Sequence, residues 1–434
     1  MKILLIVSQK GETKSAVRFI YPPLNLQQIA ALTPSNHDVS VIDESFKKIN
    51  FDKKYEYDLI GISTNTRNAY RAYEIADEFR KRGITVVLGG YHPSALPEEA
   101  KQHADSVVIG EAEETWPQLI KDLEKGELKP FYSPTKAIDA EKIISPNREV
   151  TKNFYLISVM QASRGCPHGC EFCAITNQKF GRLYRPRPLE NVINEIKTLR
   201  RKTFSFHDPS LTINLDYTKK LFKEMIGLNK KFICYGNVGT LGQDEELLEL
   251  ASKAGCVGWS VGIDSISQDS LNLIHKTINR VEEYKNSLEK IKNHGMSIFG
   301  SFIFGFDTDH KDIFEKTSEF IREVDIDVPI FNILTPYPGT PIYNKFEKEG
   351  RLLNKNWDLY TLNDVVFKPK NMTPKELSNG VFGMYKEFYS TGNTFRRCIK
   401  SFKLGLYPLL LVGLQNIPVW YATRNIRKAQ QIGN

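Results

Sequence analysis

Three cysteines fall within eight positions near the middle of the chain, at Cys166, Cys170 and Cys173. Thiolates at this spacing on one loop can hold three irons of a [4Fe-4S] cluster and leave the fourth iron open to an outside ligand. Gly165 and Gly169 keep side chains away from such a cluster, and Pro167 restricts the loop. The alternative is a structural zinc ion with His168 or a distant cysteine as the fourth ligand, although zinc ligands usually form two separated pairs.

The composition is that of an ordinary folded chain and not of a disordered or multi-span membrane protein. Of the 434 residues, 41% are hydrophobic and 25% are charged, which allows two or three domains with large cores. Six cysteines are too few for a secreted disulfide framework, and the first apolar run, residues 3–7, is too short for a signal peptide. We therefore expect a reduced, cytoplasmic protein in which Cys234, Cys256 and Cys398 are buried apolar residues.

The net charge of +8 is concentrated at the C-terminal end, where residues 391–434 contain seven Lys or Arg and no Asp or Glu. Because no basic stripe with interleaved aromatic residues runs through the rest of the chain, we do not expect nucleic acid as a partner. Residues 404–423 carry no charge and predict either a helix buried against the preceding domain or a segment lying on an anionic membrane surface. The second interpretation places a contact with the inner face of the membrane in residues 395–434.

The first part of the chain alternates short apolar runs with helical patterns, as expected for a doubly wound, flavodoxin- or Rossmann-like α/β domain. The predicted strands are 3–7, 39–42, 59–62, 85–88 and 106–109, and the predicted helices are 24–32, 70–82, 97–103 and 114–125. A ligand of such a domain lies outside the carboxyl ends of its strands. The small and polar residues at those ends are Ser63, Thr64, Gly89, Gly90, His92, Gly110 and Glu111.

A second series of strand and helix patterns predicts a partial (βα)6 barrel, with its chemistry on the loops after the strands. Its predicted strands are 155–160, 203–206, 232–235, 257–263, 297–304 and 328–333. The resulting domain boundaries are 1–130 for the doubly wound domain, 131–150 for a linker, 151–350 for the barrel and 351–434 for a small helical C-terminal extension.

The cysteine loop, which follows the first predicted barrel strand and has an aromatic residue, Phe172, just before its third cysteine, resembles that of the radical S-adenosylmethionine (SAM) enzymes. In that family the open iron binds SAM, and one electron cleaves it to methionine and a 5′-deoxyadenosyl radical. The resemblance implies that Cys166, Cys170 and Cys173 bind the cluster, and that Phe172, Asn237, Gly262 and Asp264 contact SAM.

The first domain resembles the cobalamin-binding domain of the class B branch of that family at three strand ends, residues 58–63, 89–94 and 109–113. The resemblance implies that cobalamin binds at Ser63, Thr64, Gly89, Gly90, His92, Gly110 and Glu111. No Asp-x-His-x-x-Gly motif is present, so we expect no histidine on cobalt. The alternative is a degenerate domain that keeps the shape without the cofactor.

The resemblance predicts a cobalamin-dependent radical enzyme that methylates an unactivated carbon of a small-molecule or lipid substrate, supplied with single electrons by a donor such as flavodoxin or ferredoxin. It assigns no catalytic side chain. Two alternatives remain at this point, namely cyclisation or oxidative rearrangement without methyl transfer, and a non-catalytic cobalamin or metal sensor.

Overall fold

The computed structural model describes residues 1–11 and 20–432, of which 425–432 are described as backbone only. Its first sheet has six parallel strands in the order β2-β1-β3-β4-β5-β6. These are β1 (Lys2–Val7), β2 (Asp38–Asp43), β3 (Leu59–Ser63), β4 (Thr85–Gly89), β5 (Ser106–Val108) and β6 (Phe131–Tyr132). Its helices are α1 (Leu24–Leu32), α2 (Ala69–Lys81), α3 (Tyr91–Ala95), α4 (Pro97–His103) and α5 (Thr115–Glu124).

Both faces of this sheet are covered, which confirms the doubly wound fold. Leu4, Ile6 and Ile60 pack with α2 and α4 on one face, while Ile3 and Leu5 pack with α1 and α5 on the other. This alternation within β1 follows from the two-residue period of a strand. The strand order reverses between β1 and β3, and a ligand site is expected outside the carboxyl ends at such a point.

The sixth strand was not predicted. Phe131–Tyr132 lies within the predicted linker and pairs in parallel with β5. Two residues are too few to show a strand period, and Pro130 and Pro134 flank them. The pairing depends on the neighbouring strand and not on a local pattern.

The second sheet also has six parallel strands, in the order β14-β13-β12-β11-β10-β7, which is the predicted partial barrel. Its strands are β7 (Ser158–Met160), β10 (Thr203–Phe206), β11 (Lys231–Gly236), β12 (Cys256–Asp264), β13 (Ser297–Phe304) and β14 (Val328–Ile333). A separate antiparallel ribbon joins β8 (Ser163–Arg164) to β9 (Arg185–Pro186). The helices are α6 (Leu189–Thr198), α7 (Leu215–Met225), α8 (Val238–Gln243), α9 (Glu245–Ala254), α10 (Gln268–Leu273), α11 (Tyr284–Asn293), α12 (Ile313–Val324) and α13 (Pro341–Lys348).

Three helices form the C-terminal end, α14 (Pro374–Phe388), α15 (Thr391–Phe402) and α16 (Leu406–Ile432). Leu411 and Val412 of α16 pack with apolar residues from β11, β12, β13 and β14, such as Phe299. The buried Asn416 donates a hydrogen bond to the Asp327 carbonyl oxygen and accepts one from the guanidinium of Arg397. The uncharged segment is therefore helical from Leu406 onward, and one face of that helix is buried against the barrel. Within the described chain, no helix is both long and apolar enough to cross a bilayer.

The chain after β14 also connects the two α/β units. Trp357, Tyr360 and Val366 pack on the α2 and α4 face of the first sheet. The indole of Trp357 donates a hydrogen bond to Glu99 in α4, at 2.9 Å. The hydroxyl of Tyr91 donates to the carbonyl of Pro338, at 2.8 Å. On the barrel side, the amide of Ile333 at the end of β14 donates to the Leu362 carbonyl at 2.7 Å, so this segment contacts both sheets.

Candidate active site

The cysteine loop follows β8 and is held by backbone contacts. The Cys166 amide donates to the Gly181 carbonyl at 2.8 Å, and Gly165 has a φ of +80°. A Cβ at Gly165 would collide with the carbonyl of Leu183, so only glycine fits there. The side-chain amide of Asn177 donates to the carbonyls of Cys170 and Cys173, at 2.9 and 2.8 Å. The structure therefore presents all three cysteines on one constrained loop.

The surroundings of the three thiols favour a metal cluster. Burial raises the pKa of Cys166, Cys170 and Cys173, that of Cys170 to about 12. Free thiols are therefore protonated here, and a ligand that binds thiolates would displace those protons. The buried ammonium of Lys276 interacts electrostatically with all three and favours their negative charge. The donor set thus fits a [4Fe-4S] cluster.

The zinc alternative requires convergent ligands. In the part of the chain that the structure describes, no three His, Cys, Asp or Glu side chains converge on a point that one metal ion could occupy. The thiolates around a [4Fe-4S] cluster need not meet at a single point, because each one binds a different iron.

The three barrel residues expected at SAM lie beside the cysteine loop. The Asn237 side-chain amide is 3.1 Å from the Nε2 atom of His168, which lies within that loop. Asp264 is buried, has a φ of +61° and forms an ion pair with Lys276. A Cβ at Gly262 would lie 2.8 Å from the Lys276 ammonium, so glycine leaves room for that side chain. Phe172 lies within the cysteine loop itself and packs against Phe306, with ring centroids 6.4 Å apart.

A cavity of about 780 Å³ lies between the carboxyl ends of the first sheet and the barrel. Six of the seven residues expected at cobalamin line it, namely Ser63, Thr64, Gly89, Gly90, Gly110 and Glu111. Gly90 has a φ of +98°, and a Cβ there would lie 2.6 Å from the Thr64 carbonyl oxygen. Glycines within and after the strands, Gly61, Gly89, Gly90 and Gly110, leave parts of this wall without side chains, which gives room for a large flat ligand such as cobalamin.

His92 does not line the cavity. Its ring is fully buried, with Nδ1 3.3 Å from the Thr66 hydroxyl and Nε2 3.2 Å from Glu99. The ring also packs edge-on against Trp357. Both ring nitrogens already have protein partners, so the side chain packs inside the first domain and does not face a ligand in the cavity.

The structure also brings to the site two residues that were not predicted from the sequence, His207 and Lys276. His207 lines the barrel side of the cavity between Tyr21 and Tyr235, with ring centroids 5.1 and 6.0 Å away. Burial lowers the pKa of His207 to about 4, so the imidazole is neutral at physiological pH. Among the described residues, its Nε2 atom has no hydrogen-bond partner. The sequence signal that could have pointed to His207 is its position at the end of a predicted strand, in residues 206–208. Lys276 had no such signal, because no motif surrounds it.

Comparison with known proteins identifies the family to which this chain is related. The model of the B12 binding domain matches residues 14–120, and that of the Radical SAM superfamily matches residues 160–321. Bacteriochlorophyllide d C-12(1)-methyltransferase of Chlorobaculum tepidum is 30% identical over 407 residues, covering 91% of this chain and 88% of that protein. Bacteriochlorophyllide d C-8(2)-methyltransferase of the same organism is 34% identical over 387 residues, covering 83% of this chain and 84% of that protein.

Two solved structures share the fold. The radical SAM methyltransferase TsrM of Kitasatospora setae, with tryptophan and a SAM analogue bound, has a TM-score of 0.67 at 18% identity and covers 80% of this chain and 76% of its own. The cobalamin-dependent SAM radical enzyme OxsB, with aqua-cobalamin and SAM bound, has a TM-score of 0.71 at 16% identity over 92% of this chain and 68% of its own. With its two domains and these relatives, the chain belongs to the cobalamin-dependent radical SAM methyltransferase family, whose cofactors are a [4Fe-4S] cluster, SAM and cobalamin.

Proposed function

We propose that this protein methylates an unactivated carbon of a small-molecule substrate. The observation that supports this reaction most directly is the shared cavity, because residues at the cobalamin-domain strand ends and residues of the barrel line the same space. When bound, the cluster supplies the electron that cleaves SAM, and cobalamin carries the methyl group. Cyclisation without methyl transfer and a non-catalytic sensor are not favoured by the methyltransferase relatives.

In this proposal the residues of the site form three groups, one for each cofactor. Cys166, Cys170 and Cys173 bind the cluster. Phe172, Asn237, Gly262 and Asp264 contact SAM. Ser63, Thr64, Gly89, Gly90, Gly110 and Glu111 surround cobalamin, and His92 supports their loops from behind.

The barrel end of the cavity is where we propose that substrate binds. The neutral imidazole of His207 offers Nε2 to a polar group of the substrate, since a buried nitrogen without a partner costs free energy. Tyr21 and Tyr235 offer apolar ring surface on either side. The hydroxyl of Tyr21 accepts a hydrogen bond from Gln415 of α16, which fixes its orientation.

The test is anaerobic reconstitution with iron, sulfide and hydroxocobalamin, followed by reduction and addition of SAM with a deuterated methyl group. We expect both S-adenosylhomocysteine and 5′-deoxyadenosine, and a deuterated methyl group in the product. Bacteriochlorophyllide d is the first substrate to try, since two relatives are named for it. The donor is reduced flavodoxin or ferredoxin, with a chemical reductant in parallel. Formation of 5′-deoxyadenosine alone would favour cyclisation or rearrangement, and absence of both products would favour a sensor.

We also propose that α15 and α16 contact an anionic membrane surface, at the inner face of the membrane. Phe395, Ile399 and Phe402 follow helical spacing on α15, and the exposed fractions of Phe395 and Phe402 are both 67%. The same exposed character continues on α16 at Leu406, Leu410, Ile417 and Tyr421. The exposed basic residues beside them are Arg396, Lys403 and Arg424. Apolar area together with basic charge is what binds a protein to anionic lipid.

Replacing Phe395, Phe402 and Leu406 together with serine is expected to weaken association with phosphatidylglycerol vesicles at least about tenfold, because three apolar side chains no longer enter the bilayer interface. Co-sedimentation measures the change. The matched control replaces Phe154, Ile226 and Leu353, which are exposed elsewhere. Deleting residues 395–434 is a poorer test, because it also removes Leu411 and Val412 from the barrel core. Equal losses in both triple variants would contradict the proposal.

A further inference from the structure

Four charged side chains meet where the cobalamin domain touches the cluster-bearing ribbon. Arg185 binds both carboxylate oxygens of Glu111, at 2.7 and 2.7 Å. Arg164 binds Glu113 at 2.6 Å and reaches Glu111 at 3.5 Å. The acidic pair follows β5 and the basic pair lies on β8 and β9. We call Glu111, Glu113, Arg164 and Arg185 the interdomain ion cluster.

This cluster is more than a surface contact. The Glu113 side chain is 4% exposed, and those of the two arginines are 16% and 13% exposed. Burial alone raises the pKa of Glu111, but the hydrogen bonds and charges of Arg185 and Arg164 hold it below its usual value, so Glu111 is ionised at neutral pH. Pairs buried to this degree matter far more than exposed ones, because removing one partner leaves a desolvated charge.

The ion cluster leads directly to the cysteine loop. Arg164 and Arg185 face each other across the ribbon, and Arg164 is two residues before Cys166. The intervening Gly165 has no room for a side chain, and the Cys166 amide is tied to Gly181 on the opposite side of the loop. A shift of the ribbon must therefore move the first thiol.

The same ion cluster forms part of the cavity wall. Glu111, Glu113 and Arg164 all line the cavity in which Ser63, Thr64 and the strand-end glycines lie. The loop that carries the acidic pair is itself fixed at Gly110, whose amide donates to the Ser94 hydroxyl at 2.9 Å. A ligand in the cavity would touch residues that are hydrogen-bonded to the ribbon.

We propose that the interdomain ion cluster is a positioning device that couples occupancy of the cobalamin cavity to the position of the cysteine loop. Its residues act through the ribbon and are positioning residues, not catalytic ones. The inference rests on the proposed function, because the loop that it positions is the proposed cluster-binding loop. It predicts that filling the cavity stiffens a segment in the other domain.

The test compares Arg185→Gln with Arg200→Gln. Arg185 is not part of the cavity lining, so its replacement removes the ion pair with Glu111 and keeps the cavity wall. Arg200, whose side chain is 82% exposed in its ion pair with Glu149, is the matched control. Hydrogen exchange of residues 163–186 is measured with and without hydroxocobalamin. In the wild type and in Arg200→Gln we expect cobalamin to slow exchange in this segment. In Arg185→Gln we expect cobalamin to bind without slowing it.

A second readout follows the chemistry. With iron content and cobalamin content equal to wild type, we expect Arg185→Gln to form 5′-deoxyadenosine about ten- to hundredfold more slowly, because small displacements of reacting groups cost this much. Glu111→Gln combined with Arg185→Gln should cost no more than the worse single variant, since both remove one interaction.

The outcomes separate the two proposals. Cobalamin-dependent protection that persists in Arg185→Gln would overturn the positioning role even if the enzyme is active. Loss of that protection in Arg185→Gln, with Arg200→Gln unaffected, supports it even if methyl transfer is never found, because hydrogen exchange needs no turnover. If Arg185→Gln fails to fold, Glu111→Gln is measured at saturating hydroxocobalamin and has the same two outcomes.

Discussion

Replacing Cys166, Cys170 and Cys173 together with alanine is expected to remove all four irons and to abolish 5′-deoxyadenosine formation while cobalamin binding is retained. The three thiols are the only protein ligands that we propose for the cluster, so alanine leaves nothing to hold iron. The residues that surround the proposed cobalamin site lie at the ends of a different sheet. Iron analysis and absorption spectra after anaerobic reconstitution measure both cofactors in one sample.

The matched control for this variant is Cys398→Ala, which removes a partly buried thiol on α15, outside the site. It should keep wild-type iron, cobalamin and product formation. Iron retained in the triple variant would contradict the assignment of the loop. Loss of cobalamin along with iron would show that the two sites fold as one unit.

Replacing Lys276 with methionine is expected to lower the free energy of unfolding of the cofactor-free protein by about 3–5 kcal/mol. The Lys276 side chain is 10% exposed and that of Asp264 is 6% exposed, so methionine leaves a carboxylate buried without its partner. The Lys276 ammonium also donates to the Gly262 carbonyl at 2.9 Å, and that hydrogen bond is lost too. Denaturant unfolding followed by a barrel-specific signal measures the change.

Two further variants show whether the buried charge is the cause. Adding Asp264→Asn to Lys276→Met should recover part of the loss, because the uncompensated charge is gone. Lys285→Met breaks an exposed ion pair with Glu323, in which both side chains are 56% exposed, and should change stability by less than about 1 kcal/mol. A loss for Lys276→Met no larger than that of Lys285→Met would contradict the buried-pair explanation.

Much of the fold could be predicted from local patterns. The predicted strands 203–206, 297–304 and 328–333 have the bounds that the structure shows. Parallel strands buried on both faces appear as short apolar runs, and helices show apolar residues three or four positions apart, so both kinds of element are visible before any packing is known. The doubly wound class of the first sheet could be predicted from the alternation of strands and helices, but the order of its strands comes from the structure, since right-handed crossovers still leave several arrangements.

The candidate site could be predicted where chemistry requires neighbours in sequence. Cys166, Cys170 and Cys173 must lie close together on one loop if each is to bind one iron, so their spacing is visible. The glycines at strand ends were visible for a related reason, because a backbone that approaches a ligand closely excludes side chains. His92 carried the same kind of signal, but the structure turns its ring into the protein and pairs it with Thr66 and Glu99.

The sequence by itself determined the two α/β units, the cysteine loop and the glycine-rich strand ends. Only the tertiary structure decided which distant side chains meet, such as Glu111 with Arg185, 74 positions apart, and Tyr21 with Gln415, 394 positions apart. It also decided that one face of the uncharged C-terminal segment closes the barrel core while the other stays exposed. The physical reason is that such pairs depend on how domains dock, which involves many weak contacts and leaves no periodic mark on the chain.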